Sequence, residues 1–586
     1  MMDGIPMRPG AEVAVRTWLV SFGAALAAGD EARLTQLLAP DCCWRDILAL
    51  TWDLRTASDA KSIVARLLPA GKRMAVHGFA LAGDRTPPRQ VRRAGTEAIE
   101  AIFRFESTVG PCLGVVRLVE EGGAQRAWTL MTSLAEIRGH EDPAEGARWQ
   151  EVDWRRNFGG ENWLDRRERA RAYADRDPAV LVVGAAQAGL SLAARLTQLG
   201  VDTLVVDREP RIGDSWRRRY HALTLHNETR VNHLPYMPFP RSWPVFIPKD
   251  MLANWFEAYA EAMELNVWTG TELTEGRWDE AACCWEVTLR RVDGSERRLR
   301  PRHLVMANGV SSIPVLPGLP GLDAFRGTVC HASHYGSGLD WRGKRALVVG
   351  TGTSGHDVAQ DLAVSGAAEV TLVQRRPTQV VSLKEAQAPY ALYDESIAFE
   401  DKDLLATSFP FPVFREAHRR MTAMNREADR ALLEGLERRG FRLSFGEDGT
   451  GWQMLYLSRG GGYYFDAGCS QMIVDGRIGL LPFADVACFG PEGALLKDGT
   501  TKHADLLVLA TGYEGQSAAA RRILGDAVAD RTGPVWGFDA EGELNGMWRP
   551  TGQPGLWFHA GGLAQCRIFS KVLALQIKAR ELGIVA

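Results

Sequence analysis

The sequence contains no unbroken apolar run of about 18 residues, the length a spanning helix needs, so stable membrane insertion is not expected. Its first residues, Met-Met-Asp-Gly-Ile-Pro-Met-Arg-Pro, lack the basic-then-apolar order of a secretory signal, and a cytoplasmic protein is expected. Net charge is only -3 with no basic block, which argues against nucleic acid as a partner. The nine cysteines are odd in number and scattered, and the neighbours Cys42-Cys43 and Cys283-Cys284 do not have zinc spacing. Reduced thiols in packed positions are expected, with no metal site. There is no Gly-x-Ser-x-Gly elbow, so a serine hydrolase of that type is excluded.

What is present is a pair of glycine turns. Residues 180–189 read Val-Leu-Val-Val-Gly-Ala-Ala-Gln-Ala-Gly and run into an Ala/Leu-rich helical pattern. A buried parallel strand that ends in such a turn points the following helix N-terminus at a pyrophosphate. Gly184 and Gly189 hold the first and third positions, while Ala186 replaces the middle glycine. A second apolar run ends in Asp207, 23 residues past Gly184, where a ribose-binding acid belongs. Residues 347–355, Leu-Val-Val-Gly-Thr-Gly-Thr-Ser-Gly, repeat the pattern with Gly350, Gly352 and Gly355 all present. Its second strand ends in Gln374-Arg375-Arg376 instead of an acid. A carboxylate suits a free ribose, as in FAD, whereas arginine's planar fork suits a 2′-phosphate, so NADPH is preferred over NADH.

Around this pair the chain of 586 residues is long enough for on the order of two to four domains. At the N-terminus Val15, Trp18, Leu19, Phe22, Ala25 and Leu26 share one helical face over residues 11–28, and Asp30 caps a second helix over 30–38. Strands are expected at 101–106, 113–119 and 128–137, giving an α+β domain. With Trp44-Arg45-Asp46 and Thr51-Trp52-Asp53 it resembles the SnoaL-like cone fold. The resemblance leaves three roles open: structural or dimerising, a share in a substrate cavity, or independent chemistry at Asp46. Residues 146–178 form a charged connector whose Trp149, Trp154 and Trp163 are expected to dock on a domain surface.

Later motifs make the resemblance of residues 179–586 specific. Phe325, Gly327, His331 and Tyr335 fit Phe-x-Gly-x3-His-x3-Tyr, and residues 505–513 fit Asp-x3-Leu-Ala-Thr-Gly-Tyr. Gly561-Gly562-Leu563-Ala564-Gln565-Cys566-Arg567 precedes a C-terminal helix over 570–582. In this order they resemble the class B flavoprotein monooxygenases. No Cys-x4-Cys pair stands beside the first turn, which argues against a flavin disulfide reductase.

The resemblance implies an α/β fold with two Rossmann-like dinucleotide-binding domains, for FAD and NADPH, behind the small α+β domain. The boundaries expected are 1–145, the connector 146–178, an FAD-binding part at 179–335, an NADPH-binding part with a helical insertion at 336–479, and a second FAD-binding part at 480–586. It implies cofactor contacts at Gly184, Ala186, Gln187, Gly189, Asp207, Arg208, Gly213, Ser215 and Trp216. Further contacts are implied at Gly350, Gly352, Thr353, Ser354, Gly355, Gln374, Arg375 and Arg376, and at Ala510, Thr511, Gly512, Tyr513 and Gln565.

Catalytic roles are carried over to two residues. Asn227, in Leu-His-Asn-x-x-Arg, reads either as an amide beside flavin and nicotinamide or as an Asx-turn residue. His331 reads either as a residue that positions NADPH or as a structural histidine. Lys384 falls loosely where Baeyer–Villiger enzymes place an arginine, and reads as an ordinary surface residue. The implied activity is NADPH- and O2-dependent oxygenation of N or S in a small organic substrate through a flavin hydroperoxide. YUCCA-type enzymes lack the asparagine at 227, and Tyr335 stands where the Baeyer–Villiger fingerprint has Trp. Baeyer–Villiger oxidation of a ketone, YUCCA-type decarboxylation and a non-catalytic redox sensor or binding protein remain the alternatives, and a homodimer is compatible with all of them.

Overall fold

The computed structural model describes residues 10–143 and 158–585. Trp149 and Trp154, expected to dock the connector, lie outside the described residues. The chain is a mixed α/β protein built on two five-stranded parallel sheets, preceded by an α+β unit.

The N-terminal unit opens with helix Ala11–Ala28, which buries Val15, Trp18, Leu19 and Phe22. Asp30 caps the next helix, Glu31–Leu37, by accepting from the Arg33 amide at 2.9 Å. A third helix, Ala60–Arg73, completes the layer. The seven-stranded sheet runs Leu54–Ser58, Leu38–Ile47, Ala124–Leu134, Pro111–Glu121, Thr96–Glu106 and His77–Leu81, with Arg89–Arg93 also on Thr96–Glu106. Trp18 stacks on Phe22, which meets Phe79 edge to face, and Phe79 stacks on Phe105 between helix and sheet. Contrary to the expectation of no spanning segment, helix Ala11–Ala28 is long and apolar enough by composition to cross a membrane. Alanines raise its mean hydropathy although one face is packed in the N-terminal core.

The first parallel sheet has the order Asn266–Trp268, Thr203–Val206, Val180–Val183, His303–Met306, Leu556–Phe558. The second has the order Thr328–His331, Leu506–Leu509, Arg345–Val349, Glu369–Gln374, Gly479–Pro482. These are the same arrangement in opposite listing, and each carries a three-stranded antiparallel appendage. The strands are near-continuous Val/Leu runs because both faces of a parallel sheet are covered by helices. The chain crosses between the sheets where Ile313–Pro314 pairs antiparallel with Tyr513–Glu514.

This topology corrects the expected boundaries. The second sheet begins at Thr328, before 336, and claims Leu506–Leu509 from the segment assigned to the first. Asp505 explains the register. Its carboxylate accepts from the Arg345 amide at 2.8 Å and from the Arg345 guanidinium, which fixes the two strands side by side. The connector helix Trp163–Ala172 buries none of its residues; Trp163, expected to dock, is 52% exposed, and its indole donates to Glu264 at 2.8 Å. The helical insertion comprises Glu385–Asp394, Phe399–Thr407, Phe411–Ala428, Arg430–Arg438 and Gly451–Arg459. Phe411–Ala428 and Arg430–Arg438 are separate helices, divided at Asp429.

Candidate active site

The two glycine turns have one backbone. Gly184 and Gly350 lie at φ of 114° and 123°, the left-handed side that only glycine adopts freely. A Cβ on Gly184 would meet the Ala307 carbonyl at 2.6 Å, and one on Gly350 would meet the Ala510 carbonyl at 2.3 Å. A Cβ on Gly189 would sit 1.8 Å from the Gly184 oxygen, and one on Gly355 2.1 Å from the Gly350 oxygen. First and third glycines are thus demanded by the protein's own packing. The middle positions are not. Ala186 and Gly352 both begin their helices in extended backbone, and a Cβ at 352 would have its nearest neighbour, the Tyr463 oxygen, at 3.8 Å. A middle glycine is required only by close approach of a ligand.

Beyond the backbone the turns differ. Around the first, Gln187 donates to the Gly561 carbonyl at 3.3 Å and accepts from the Trp216 indole at 3.2 Å. Asp207 accepts from the Ala185 amide at 2.7 Å and from the Glu209 amide at 2.8 Å, and burial pushes its carboxyl upward. Gly213, at φ 89°, lets its loop pass close to the Ala253 carbonyl. Gln565 accepts from the Gly562 amide at 3.1 Å and from the Tyr456 hydroxyl at 3.2 Å, capping the C-terminal helix Leu563–Glu581. That helix begins earlier than expected, and Arg567 lies inside it. Ser215 is exposed, and Arg208 is an exposed side chain beside Glu209.

The second turn opens onto a cleft of about 1310 Å³ lined by Gly350, Gly352, Thr353, Ser354 and Gly355. Arg375, Arg376 and Ala510 through Tyr513 line it too. Arg375 and Arg376 are exposed. Gln374 is not part of this wall, which corrects the expectation. It is buried at 2% exposure, donates to the Arg442 carbonyl and accepts from the Arg442 amide. Residues 370–374 of strand Glu369–Gln374 are all buried, so Gln374 stays inside while the next two residues leave the strand. Thr511 donates to the Val315 carbonyl at 2.6 Å beside the crossover.

His331 ends the first strand of the second sheet and faces this cleft. Its Nε2 pairs with the Gly512 carbonyl at 3.1 Å, so that nitrogen carries the proton. Nδ1 accepts from the Ser333 amide at 3.1 Å and lies 2.8 Å from the Ser333 hydroxyl. Burial lowers its pKa, which keeps the ring neutral. Its edge meets the Tyr513 ring, centroids 5.1 Å apart. Both ring nitrogens are thus used to hold the junction together.

Asn227 lies on strand Thr224–Glu228. Its carbonyl accepts from Asn232 at 3.0 Å, and its side chain reaches the Tyr390 hydroxyl. Burial pushes that hydroxyl up to about 12, and the Asn227 hydrogen bond opposes the rise. The neighbouring His226 packs at a tilt against Phe465, ring centroids 4.6 Å apart, and burial pulls it down to about 4. Gln387 straps the insertion to this strand: it donates to the His226 carbonyl at 2.9 Å and accepts from the Glu228 amide at 3.4 Å. Lys384, by contrast, is 91% exposed and lies 3.8 Å from Glu385. Tyr390, Gln387 and the cleft residue Arg219 carry no sequence motif. Only their polarity within an otherwise helix-forming stretch or a Trp-Arg-Arg-Arg run signals them.

Two five-stranded parallel sheets with matched glycine turns, joined at a chain crossover, define a mixed α/β protein. The model of the flavin-binding monooxygenase-like family matches residues 178–431. The chain is 38% identical over 205 residues to the rice (Oryza sativa subsp. japonica) protein named indole-3-pyruvate monooxygenase YUCCA1, covering 35% of this chain and 49% of the relative. It is 30% identical to the Arabidopsis thaliana protein named probable indole-3-pyruvate monooxygenase YUCCA8, covering 57% of this chain and 74% of the relative. Among solved structures it is similar to cyclohexanone monooxygenase from Rhodococcus sp. Phi1 bound to NADP+, at 19% identity and TM-score 0.50, covering 70% of this chain and 85% of that one. That likeness concerns the fold.

The chain belongs to the flavin-binding monooxygenase-like family. Its match spans about half the length of the rice relative.

Proposed function

We propose that the protein is an FAD-containing, NADPH- and O2-dependent monooxygenase acting on N or S of a small organic substrate. The observation that carries the reading is the pairing of two superposable glycine turns with opposite chemistry at the ends of their second strands: Asp207 at one, Arg375 and Arg376 at the other. We assign the first sheet to a Rossmann-like FAD domain and the second to a Rossmann-like NADPH domain.

The residues present fit both groups. At the first turn Gly184 and Gly189 let strand and helix close tightly, so that the helix N-terminus is presented as a pyrophosphate requires, and Asp207 is the acid a free ribose requires. Gln187, Trp216, Gly213 and Gln565 surround it. At the second turn the exposed forks of Arg375 and Arg376 suit a 2′-phosphate. Among the described residues the buried Tyr513 hydroxyl and Gln516 Oε1 find no hydrogen-bond partner where the two units meet, which suits a polar ligand there. FAD would supply electron transfer from NADPH and activation of O2 when bound.

The chain's own part is positioning and exclusion of water. Asn227 offers an amide that donates without titrating, directed by Tyr390. His331, neutral and held at both nitrogens, fixes the junction through Gly512 and does not shuttle a proton. The aromatic wall of His226, Phe465 and Tyr463 limits water beside it. For the N-terminal unit we propose a SnoaL-like cone fold with a structural role. Asp46 is spent on that structure: it accepts from Thr132, Thr51 and the Leu50 amide, although burial lifts it to about 6.

A second reading, oxygenation at a carbonyl carbon, is favoured by the names of the curated relatives, which act on indole-3-pyruvate. Product analysis with amines, sulfides, ketones and arylpyruvates separates the two. N-oxides or sulfoxides are the expected products. Esters alone, or decarboxylated acids alone, would replace the leading reading with the second. Purified protein that retains no flavin and consumes no NADPH would overturn both.

A further inference from the structure

Arg567 is buried in the C-terminal helix, and all of its N–H groups are engaged. Nε and Nη2 donate to the two Asp403 oxygens, each at 2.7 Å, and Nη2 also faces the Tyr393 hydroxyl at 3.4 Å. Nη1 bridges the carbonyls of Val231 at 2.9 Å and His233 at 3.1 Å. The guanidinium lies over the Phe399 ring at 4.7 Å. Between the two bridged carbonyls stands Asn232, 1% exposed, whose amide donates to the Asn227 carbonyl at 3.0 Å. One cation thus fixes both neighbours of the residue that holds Asn227.

Asp403 belongs to helix Phe399–Thr407, and the N-terminal unit grips the same helix. Asp401, fully buried, accepts from the Thr86 amide at 2.8 Å, the Thr86 hydroxyl at 2.5 Å and Arg85 at 3.0 Å. Arg45 donates to the Thr407 carbonyl at 2.6 Å. Arg117, itself 0% exposed and paired with Glu100, donates to Ser408 at 2.8 Å and lies over the Phe409 ring at 4.1 Å. A face of the N-terminal sheet that a free-standing cone would offer to a ligand is therefore filled by residues 407–409 of the same chain.

We propose that Arg567 is a positioning residue for Asn227, and that helix Phe399–Thr407 is the strut through which the N-terminal unit holds it in place. The inference rests on the reading that Asn227 faces the reacting centre. The physical requirement is a planar fork. Guanidinium can satisfy a carboxylate with one edge and two carbonyls with the other, while an ammonium on a flexible stem cannot do both. The strut transmits position because it is tied by charge-assisted bonds on two faces, one to each unit.

Hydrogen–deuterium exchange on the full chain tests this without turnover. In Arg567→Lys, exchange over residues 227–233 rises roughly tenfold, the loss of about one net buried hydrogen bond, while 345–349 is unchanged. A second variant, Arg85→Ala/Thr86→Ala, removes side chains at the far end of the strut and raises exchange in the same 227–233 segment by a smaller factor. With FAD and NADPH supplied, both variants also release a larger share of consumed NADPH as H2O2, at unchanged KM for NADPH. Unaltered exchange at 227–233 in Arg567→Lys would overturn the positioning role. Exchange that rises only over residues 77–93 in the second variant would overturn the strut. Wild-type protein that consumes no NADPH would sink the proposed function and leave the exchange result readable.

Discussion

The turn at residues 184–189 and the turn at 350–355 share a backbone and differ in what stands before them. The first is laced shut by protein groups: Gln187 to Gly561 and Trp216, Asp207 to two backbone amides. The second faces an open cleft with two exposed arginines at its rim. Equal backbones show that the strand–turn–helix geometry is fixed by glycine packing alone. The unequal surroundings separate a site suited to a resident ligand from one suited to a ligand that enters and leaves.

The largest effect that could break this comparison is a methyl at a third glycine. Gly189→Ala places Cβ in the Gly184 carbonyl and costs about 3 kcal/mol or more. The purified protein should lose its flavin absorbance and melt earlier. Gly355→Ala makes the matching clash in the second unit, and here flavin should be retained while NADPH oxidation is lost. If both variants lost flavin equally, the two turns would not be separate sites. Next in size, Arg375→Ala/Arg376→Ala should raise the KM for NADPH roughly 10- to 100-fold and leave that for NADH nearly unchanged. An equal rise for both would remove the 2′-phosphate assignment.

Asp207→Asn should act more mildly. One of its two backbone amides loses its acceptor and the other keeps a neutral one, a change of about 1–2 kcal/mol, read as faster flavin loss on dialysis. The smallest effect is expected at the middle position. Ala186→Gly gains a few tenths of a kcal/mol or about that at the helix N-cap and should modestly raise FAD retention. Gly352→Ala should cost no more than about the same few tenths of a kcal/mol at its own N-cap, because 3.8 Å separates the new methyl from its nearest neighbour, and should act mainly on NADPH binding. A larger destabilisation there would mean that the protein, and not a ligand, needs the middle glycine.

Local signals were legible where a residue's role is set by its near neighbours. Asp30 caps its helix and Val15, Trp18, Leu19 and Phe22 face the core, because capping and helical periodicity act within a few residues. Gly189 and Gly355 were readable because they close on the Gly184 and Gly350 oxygens of their own turns, whereas the carbonyls that crowd Gly184 and Gly350 belong to the distant Ala307 and Ala510. Gln374 was misread because a polar residue at a strand end reads alike whether it turns out to solvent or in to Arg442. Leu506–Leu509 was placed in the wrong unit because a buried parallel strand carries no mark of its partner. On Thr96–Glu106 residues 98–103 are buried on both faces, since the strut and its neighbours cover the side that an isolated sheet would expose.

By itself the sequence determined the repeated strand–turn–helix unit, the acid at the end of one second strand and the arginines at the other. These follow from steric rules and charge, which operate over short stretches of chain. Only the tertiary structure decided that Gln374 is structural, that Tyr390 meets Asn227, and that Arg567 ties Val231 and His233 to Asp403. Those partners come from segments more than a hundred residues apart or from an insertion without a motif. Buried polar groups take whichever partner the packed chain brings to them, and that choice is made only when the units close on one another.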